Sequence, residues 1–386
     1  MHAPRIVACM EYDVAVLGLG GMGSAVAAHA AQRGLRVAGF ERFAFAHDLG
    51  SSTGRSRIIR KAYFEDAAYV PLLDRAYTLW RDLEERSQTA LLDLFGVLMV
   101  GRPDSATIEG TSSAAMLYDI PGEQLDAGQL RARFPRLAFA ADEIGLYEPY
   151  AGVVFPERAV AAYLNAARNS GAHLYDCAPV RSYAAKGDGV EIRLAGGEIV
   201  NAARVAVCAG PWTSELLAHC DLPLRVQRNV QYWFTAQSGS GGPADIPAFF
   251  LEREGLPAPL YGIPDLGDGI KVAFHGYGEL TPADQLDREV RADEAAAMSE
   301  ALAALMPSET LSLRSSKVCM YTKTPDGNFA IGHDPCNPGV VIACGFSGHG
   351  FKFVPVIGEI VTRMLLGEDP QFDIAFLNLD RLISGT

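Results

Sequence analysis

The strongest hydrophobic pattern lies near the start of the chain, where an apolar run leads into glycines and then into alanines. Residues 14–17 (VAVL) are apolar without alternation, which predicts a buried parallel strand. The alanine-rich residues 25–32 predict a helix, and residues 36–40 predict a second strand. The order of strand, glycines, helix and strand indicates an α/β beginning.

Helical and strand patterns alternate over the rest of the chain, without an internal repeat or a low-complexity segment. Apolar residues recur at helical spacing over residues 72–83, and residues 160–167 and 215–218 also predict helices. From about residue 223 to 318 the chain is richer in Pro, Gly and strand-like runs such as NVQYWFTA, which predicts a mostly antiparallel region. The stretch GVVIACGFSGHGFKFVPVIGEIVTRMLLG predicts a strand, a glycine-rich loop and a helix that rejoin the first domain.

Composition and charge narrow the class of protein. The chain has 386 residues, of which 49% are hydrophobic and 20% charged, and this is typical of a globular enzyme with two domains. A formal net charge of -13 disfavours a nucleic-acid partner. The seven cysteines form no Cys-x-x-Cys pair, so a structural zinc and a disulfide framework are not expected. We find no signal-peptide pattern and no run of membrane-spanning length, and we expect a cytoplasmic protein without a membrane partner.

A dinucleotide-binding motif follows the first predicted strand. Gly18, Gly20 and Gly23 give G-x-G-x-x-G, and Glu41 follows the last of them by 18 residues at the end of the second strand. The first glycine allows a tight turn, the second allows backbone to approach a pyrophosphate, and the third allows the helix to pack on the strand. Glu41 can accept hydrogen bonds from a ribose and argues against a 2′-phosphate. The motif does not distinguish FAD from NAD.

Four segments together resemble the monomeric sarcosine oxidase and N-methyltryptophan oxidase family, in the group of FAD-dependent amino-acid oxidases. These segments are GLGGMGSAVA, GSSTGRSRIIRKAY with YVPLLDRAYTLW, VCMYTKTPDGNFAIG and GFSGHGFKF. The resemblance implies an α/β plus α+β fold, in which a discontinuous Rossmann-like FAD domain (residues 1–95, 155–222 and 328–386) accompanies a mostly antiparallel substrate domain (residues 96–154 and 223–327). It also implies a monomer.

The resemblance gives Cys319 of VCMYT a specific role. In this family the matching cysteine bonds covalently to the 8α-methyl carbon of the flavin, so Cys319 is expected to attach FAD. The alternative is a buried structural thiol, which we favour for the other six cysteines. Further FAD contacts are implied for Arg57, Val180, Gly348, Gly350 and Lys352.

A carboxylate-bearing substrate needs cationic partners, and the segment GRSRIIR offers several arginines. By resemblance, Arg60 and Lys352 bind the substrate carboxylate, and Arg57 lies near the flavin. The arginine fork suits this task because it donates two parallel hydrogen bonds to a carboxylate. From the residues alone, a solvated basic loop is an equal alternative.

Oxygen chemistry is assigned by the same resemblance. Lys271 of GIKVAFH matches the lysine that faces the flavin and activates O₂, although a surface lysine on a strand is the commoner case. Four further residues match active-site positions, namely His275, Tyr321, His349 and Tyr261. Tyr261 is the weakest of these matches, because we read the loop DLGDG after it as one residue shorter than in the sarcosine oxidases.

The implied reaction is oxidation of a secondary amino acid, with hydride transfer to FAD, hydrolysis of the imine and reoxidation by O₂ to give hydrogen peroxide. No metal is expected. A nicotinamide dehydrogenase, a flavin dehydrogenase that passes electrons to another acceptor, and a FAD-binding protein without enzymatic activity stay as alternatives. The substrate also stays open among sarcosine, larger N-methyl amino acids such as N-methyltryptophan, pipecolate-like cyclic amines and fructosyl amino acids.

Overall fold

A computed structural model of the chain describes residues 11–239 and 241–383. Cys9, one of the seven cysteines, lies outside the described residues. In the described part of the chain the strands are β1 (Glu11–Leu17), β2 (Val37–Phe40), β3 (Arg57–Ile59), β4 (Leu92–Asp93), β5 (Val97–Gly101), β6 (Glu123–Leu125), β7 (Ile144–Glu148), β8 (Gly152–Val154), β9 (His173–Tyr175), β10 (Val180–Lys186), β11 (Gly189–Leu194), β12 (Ile199–Val207), β13 (Arg225–Ala236), β14 (Ala248–Leu251), β15 (Leu260–Ile263), β16 (Ile270–Phe274), β17 (Leu311–Lys323), β18 (Ala330–Asp334) and β19 (Asn337–Cys344).

Helices of very different lengths connect these strands. The α-helices of the same residues are α1 (Gly21–Gln32), α2 (Val70–Ser87), α3 (Ala106–Leu117), α4 (Ala127–Arg133), α5 (Pro156–Asn169), α6 (Thr213–Leu216), α7 (Ala292–Leu305), α8 (Val354–Leu365) and α9 (Asp380–Ile383). Short 3₁₀ turns lie at Ala67–Tyr69, Gly210–Trp212, Ala283–Gln285, Phe351–Phe353 and Ala375–Leu377. Pro71, Pro156 and Pro355 begin three of the long helices, where a missing backbone N–H costs no hydrogen bond.

The first sheet has the strand order β10-β11-β12-β1-β2-β9, with β19 beside β12 and β18 beside β19. Strands β12, β1, β2 and β9 are parallel, and β19 joins β12 in parallel. Along β1, Val14 and Val16 pack into the layer that contains α1, α2, α5 and α8, whereas Ala15 and Leu17 pack into the opposite layer. Both faces of β1 are therefore covered, which explains why its sequence is apolar without alternation.

The second sheet has the strand order β17-β13-β16-β15-β14-β5-β7-β6, and all its pairs are antiparallel except β14 with β5. Helix α7 covers one face through Met298, Leu302 and Leu305, which belong to the same apolar cluster as Phe234 and Phe249. A small third sheet, β3-β8-β4, is antiparallel and carries Arg57 on β3.

The predicted fold class is confirmed, with a mostly parallel first sheet and a mostly antiparallel second sheet. The predicted helix near residue 25 begins earlier, at Gly21, because the motif glycines already form its first turn. Helix α7 was not foreseen within the region predicted to be mostly antiparallel, although its sequence ADEAAAMSEALAAL is rich in helix-forming residues. No helix among residues 11–239 and 241–383 is long and apolar enough to cross a membrane.

Candidate active site

A cavity of about 540 Å³ lies at the carboxyl ends of β1, β2 and β12, where α1 begins. Gly18 has a φ of +90°, and a Cβ added there would lie 2.6 Å from the carbonyl oxygen of Cys208. A Cβ on Gly23 would lie 1.8 Å from the carbonyl oxygen of Gly18. These two glycines are therefore required by the turn itself and by the approach of α1 to the strand end, as the motif predicts. Gly20 faces the cavity, and only Ser52 Oγ lies within 4 Å of a Cβ placed on it.

Glu41 lies at the end of β2 in the wall of this cavity and is 6% exposed. Its carboxylate accepts hydrogen bonds from the backbone N–H groups of Leu19 (2.8 Å) and Phe43 (3.1 Å), and His47 Nε2 lies 3.3 Å away. Burial opposes the charged form, but the hydrogen bonds from His47 and the backbone outweigh burial and lower the pKa of Glu41. A charged acceptor in this position fits a ribose hydroxyl, so Glu41 lies where the motif predicts.

The cavity fits FAD in size and in chemistry. Its volume lies in the range of ligand sites, and the exposed backbone N–H groups at the beginning of α1 suit a pyrophosphate. Val180, Gly348 and Gly350 line the same cavity, as the resemblance implies. The motif did not point to Ser52, whose Oγ accepts the N–H of Gly21 at 2.9 Å, because Ser52 comes from a distant loop.

A second cavity of about 70 Å³ adjoins the first and shares Arg57, Tyr321, Gly348 and Phe351 with it. Most of the side chains assigned to substrate by resemblance meet here. The residues that line it are Arg57, Ile58, Arg60, Glu65, Phe250, Tyr261, His275, Tyr321, Gly348, His349, Phe351 and Lys352. Tyr261 lies in this wall despite the weakness of its match, and burial raises the pKa of its hydroxyl to about 12.

Arg60 is 4% exposed and is held from several sides. Its guanidinium donates to Glu65 Oε2 and to the carbonyl oxygen of Ala62, both at 2.6 Å. It also lies over the rings of Tyr63 (4.6 Å) and Phe64 (4.7 Å). Burial works against the Glu65 carboxylate, yet Arg60, His349 and Lys352 bring its pKa to about 2. Glu65 was missed in the sequence, where it reads as an ordinary acid after KAYF.

Lys352 lies in the 3₁₀ turn before α8 and is 6% exposed. Its Nζ donates to the carbonyl oxygen of His349 at 2.8 Å and lies 3.4 Å from the hydroxyl of Tyr63. Because His349 Nε2 donates to the carbonyl oxygen of Gly327 (3.0 Å), its Nδ1 accepts from Tyr63 (2.6 Å) and the imidazole is neutral. Burial lowers the pKa of His349 to about 4 and that of Lys352 to about 7.

His275 and Tyr321 form another wall of the small cavity, with 3.5 Å between Nδ1 of the histidine and the hydroxyl of the tyrosine. Phe250 packs edge-on against His275, with 5.5 Å between the ring centroids. Burial lowers the pKa of His275 to about 4, so this imidazole is neutral at ordinary pH. The wall therefore combines aromatic surface with uncharged hydrogen-bonding groups.

Lys271 lies on β16 and is 1% exposed, so it is not the surface lysine of the alternative interpretation. Its Nζ donates to the carbonyl oxygens of Gly54 and Ser56, each at 2.7 Å. These two backbone carbonyls therefore hold the side chain in place. Burial and the neighbouring Arg57 lower the pKa of Lys271 well below its ordinary value.

Cys319 is 2% exposed on β17 and directly precedes Met320–Thr322, which line the large cavity. Its Sγ lies 3.7 Å from Nη2 of Arg57, and Arg57 lines both cavities. The cysteine is thus close to the place where the two cavities meet. Reactive cysteines commonly lie beside a cationic group, which distinguishes Cys319 from a cysteine packed among apolar residues.

The family profile described as FAD dependent oxidoreductase matches residues 13–364 of the chain. The chain belongs to this family. It is 43% identical to a monomeric sarcosine oxidase of Streptomyces avermitilis, over 96% of this chain and 98% of that protein. It is 33% identical to an N-methyl-L-tryptophan oxidase of Citrobacter koseri, over 96% and 99% of the two chains. The crystal structure of glycine oxidase from Geobacillus kaustophilus has the same fold, with a TM-score of 0.80, 24% identity and coverage of 96% and 98%. Membership of an FAD-dependent family agrees with a cavity of this size beside the dinucleotide-binding glycines.

Proposed function

We propose that this FAD-dependent oxidoreductase is an oxidase of a small secondary amino acid, with sarcosine as the favoured substrate. One observation carries the proposal. Arg60 and Lys352, both buried, line a cavity of about 70 Å³ that adjoins the FAD cavity. The similarity to sarcosine and N-methyltryptophan oxidases supports the same class of substrate.

The charges around the small cavity favour a carboxylate ligand. Glu65 is the one acidic side chain among the described residues that line it, against the cations of Arg57, Arg60 and Lys352. Arg60 has five N–H donors, and its two described hydrogen bonds leave donors for a substrate carboxylate. Lys352 likewise has three donors, of which one is taken by His349 and one points to Tyr63.

The size of the small cavity favours a short substrate. About 70 Å³ is small beside the roughly 300–1,000 Å³ of common ligand sites, so an amine, a carboxylate and a methyl group are favoured over a larger side chain. Phe250, Tyr261 and Phe351 supply apolar surface for such a methyl group. An indole would require these walls to move apart, and we therefore favour sarcosine over N-methyltryptophan.

FAD held in the large cavity by the Gly18–Gly23 turn and Glu41 would supply the acceptor for the hydride from the carbon beside the amine nitrogen, and O₂ would be the final acceptor of the two electrons. The protein binds and orients the substrate through Arg60 and Lys352. These cations also favour the uncharged form of the amine, which holds the lone pair that the oxidation needs. Loss of two electrons and two protons gives an imine, which water hydrolyses to glycine and formaldehyde when sarcosine is the substrate, and O₂ leaves as hydrogen peroxide.

Cofactor binding and substrate binding fall to different parts of the chain. We infer that residues 1–95, 155–222 and 328–386 bind FAD and that residues 96–154 and 223–327 form the substrate domain. The second sheet contributes Phe250, Tyr261 and Lys271 to the junction, while β3 and the loop before α8 contribute Arg57 and Lys352. We also propose a monomer, a covalent bond from Cys319 to the flavin, and oxygen activation by Lys271.

The carboxylate clamp can be tested through substrate affinity. Arg60→Ala and Lys352→Ala should each weaken binding by on the order of 2–5 kcal/mol, because each removes one partner of a desolvated charge pair. Lys61→Ala is the matched control, since Lys61 follows Arg60 but pairs with the exposed Asp74 at 2.5 Å. Rapid mixing without oxygen measures affinity in all three variants, from the sarcosine concentration at which the rate of flavin reduction saturates. Unchanged saturation in both clamp variants would show that the substrate binds elsewhere.

Covalent attachment predicts that the yellow colour stays with acid-precipitated protein and that a flavin-bearing peptide contains Cys319. Cys319→Ser should release the flavin on precipitation, because a hydroxyl is a far poorer nucleophile than a thiolate. Cys177→Ser, which alters an exposed cysteine, should keep it bound. Wild-type protein whose colour passes entirely into the supernatant would contradict the bond without affecting the proposed reaction.

Lys271→Met tests the choice of O₂ as acceptor. The substitution keeps an unbranched side chain and removes the positive charge beside the carbonyls of Gly54 and Ser56. Reoxidation by O₂ should slow far more than anaerobic reduction by sarcosine, with about tenfold for each roughly 1.4 kcal/mol of lost charge stabilisation. Rapid mixing times the two half-reactions separately. If reoxidation proceeds at the wild-type rate, Lys271 has no part in oxygen chemistry.

A further inference from the structure

A cluster of potential metal ligands lies away from both cavities, at the turn between β18 and β19. His219 follows α6, whereas Asp334 ends β18 and Cys336 lies in the turn. Nε2 of His219 is 3.0 Å from Oδ2 of Asp334, and one ligand atom from each of the three residues lies within 4.8 Å of the others. No sequence motif shows this cluster, because His219 and Asp334 are 115 positions apart.

Two further groups complete the surroundings of Asp334. Cys220 points its Sγ at Oδ1 of Asp334 from 3.7 Å, as a weak hydrogen-bond donor. Tyr183 donates its hydroxyl to Oδ2 at 2.7 Å, and the backbone N–H of Cys336 donates to Oδ1 at 2.8 Å. These contacts fix the orientation of a carboxylate that is 1% exposed.

The charge balance at Asp334 leaves room for a cation. Among the ion pairs of the described residues, its partner is His219, whose imidazole is positive only when protonated. A buried carboxylate without a lysine or arginine partner is costly, and a bound divalent cation is one way to offset that cost. Cys336 and the His219 side chain are exposed, so an ion can reach the cluster from solvent.

We propose that His219, Asp334 and Cys336 form a site for Zn²⁺, with solvent as the fourth ligand. Imidazole, thiolate and carboxylate are the ligands that zinc takes in tetrahedral sites, whereas Ca²⁺ and Mg²⁺ need mostly oxygen ligands. Zinc bonds of about 2.0–2.3 Å bring two ligand atoms to within about 4.6 Å of each other. Small rotations of the exposed His219 and Cys336 side chains therefore close the site, and the Cys336 thiol loses its proton to solvent as it binds.

The position of the site gives it a structural task. Residues 210–216, just before His219, contribute Gly210, Trp212 and Glu215 to the wall of the large cavity. The zinc ion would fasten this segment to the β18–β19 hairpin, and β19 leads directly into the glycine-rich loop of both cavities. Tyr183 is then a supporting residue that orients Asp334 without touching the metal.

The test is zinc binding by the flavin-loaded enzyme after treatment with a chelator and a thiol-free reductant. Competition with a chromophoric chelator should show one Zn²⁺ per chain, and Mg²⁺ should not compete. His219→Ala and Cys336→Ser should weaken zinc affinity by more than the about 10–100-fold expected for Tyr183→Phe, because a ligand contributes more than its supporting group. Both substitutions change exposed side chains, which avoids the folding damage expected from altering buried Asp334.

Two further measurements, cobalt spectra and thermal stability, test the proposed zinc site. Co²⁺ should give tetrahedral ligand-field bands at wavelengths beyond flavin absorption, and these bands should vanish in Cys336→Ser. Zn²⁺ should raise the Tm of the wild type and of the control Cys177→Ser but not that of Cys336→Ser, because only a ligand that binds the folded state stabilises it. Absence of stoichiometric zinc, or binding that survives in both His219→Ala and Cys336→Ser, would overturn the proposal whatever the substrate of the oxidase.

Discussion

The removal from water of several cationic side chains, of which Arg60, Lys271 and Lys352 are buried and Arg57 is partly buried, is the constraint on which the site depends. Arg57, Arg60 and Lys352 line the small cavity, and a charged side chain prefers water. Lys271 lies beside Arg57, because both donate to the carbonyl oxygen of Ser56. The protein offsets part of this cost with backbone carbonyl oxygens and, at Arg60, also with the carboxylate of Glu65. The carbonyl oxygens of Gly54 and Ser56 accept hydrogen bonds from Lys271. Those of Ser51 and Ser56 accept from Arg57, and that of Ala62 accepts from Arg60.

The loop 51–57 must therefore turn its carbonyls inward, and its backbone N–H groups need partners elsewhere. Glu157, at the beginning of α5, accepts the N–H groups of Gly54 (2.7 Å) and Arg55 (3.0 Å). Gly54 has a φ of +102°, and a Cβ there would lie 2.1 Å from Oε1 of Gln231. The carboxylate of Glu157 and the positive φ of Gly54 thus hold the loop in a shape that presents carbonyl oxygens. Lys271 and Arg57 can therefore lie side by side on these carbonyls. The positive charge that these contacts do not neutralise can attract an anionic ligand, although the net charge of the whole chain is -13.

The sequence could predict those parts of the fold and site that depend on local pattern. The motif glycines, Glu41 and the apolar β1 were predictable because close approach and two-sided burial dictate the residue types. Arg60, Lys352 and Lys271 could be singled out only through resemblance, since a lysine on a strand usually faces solvent. Glu157 and the cluster at Asp334 were not predictable, because their partners lie 103 and 115 positions away. Glu65 lies only five positions from Arg60, but no motif marks that pair. Helix α7 was missed because neighbouring strand patterns dominated the interpretation of that region.

Proton uptake on binding of a simple carboxylate tests the charge account most directly. Acetate carries no amine, so the titration of an amine cannot contribute protons. Burial sets the pKa of Lys352 at about 7, and a bound carboxylate raises it, so at pH about 8 the holoenzyme should take up close to one proton per acetate bound. At pH about 6 Lys352 is already charged and uptake should nearly vanish, as it should at either pH in Lys352→Met. The claim that buried cationic side chains bind the substrate carboxylate would be contradicted by either of two results at pH about 8. These are equal proton uptake by the wild type and Lys352→Met, or no uptake by the wild type.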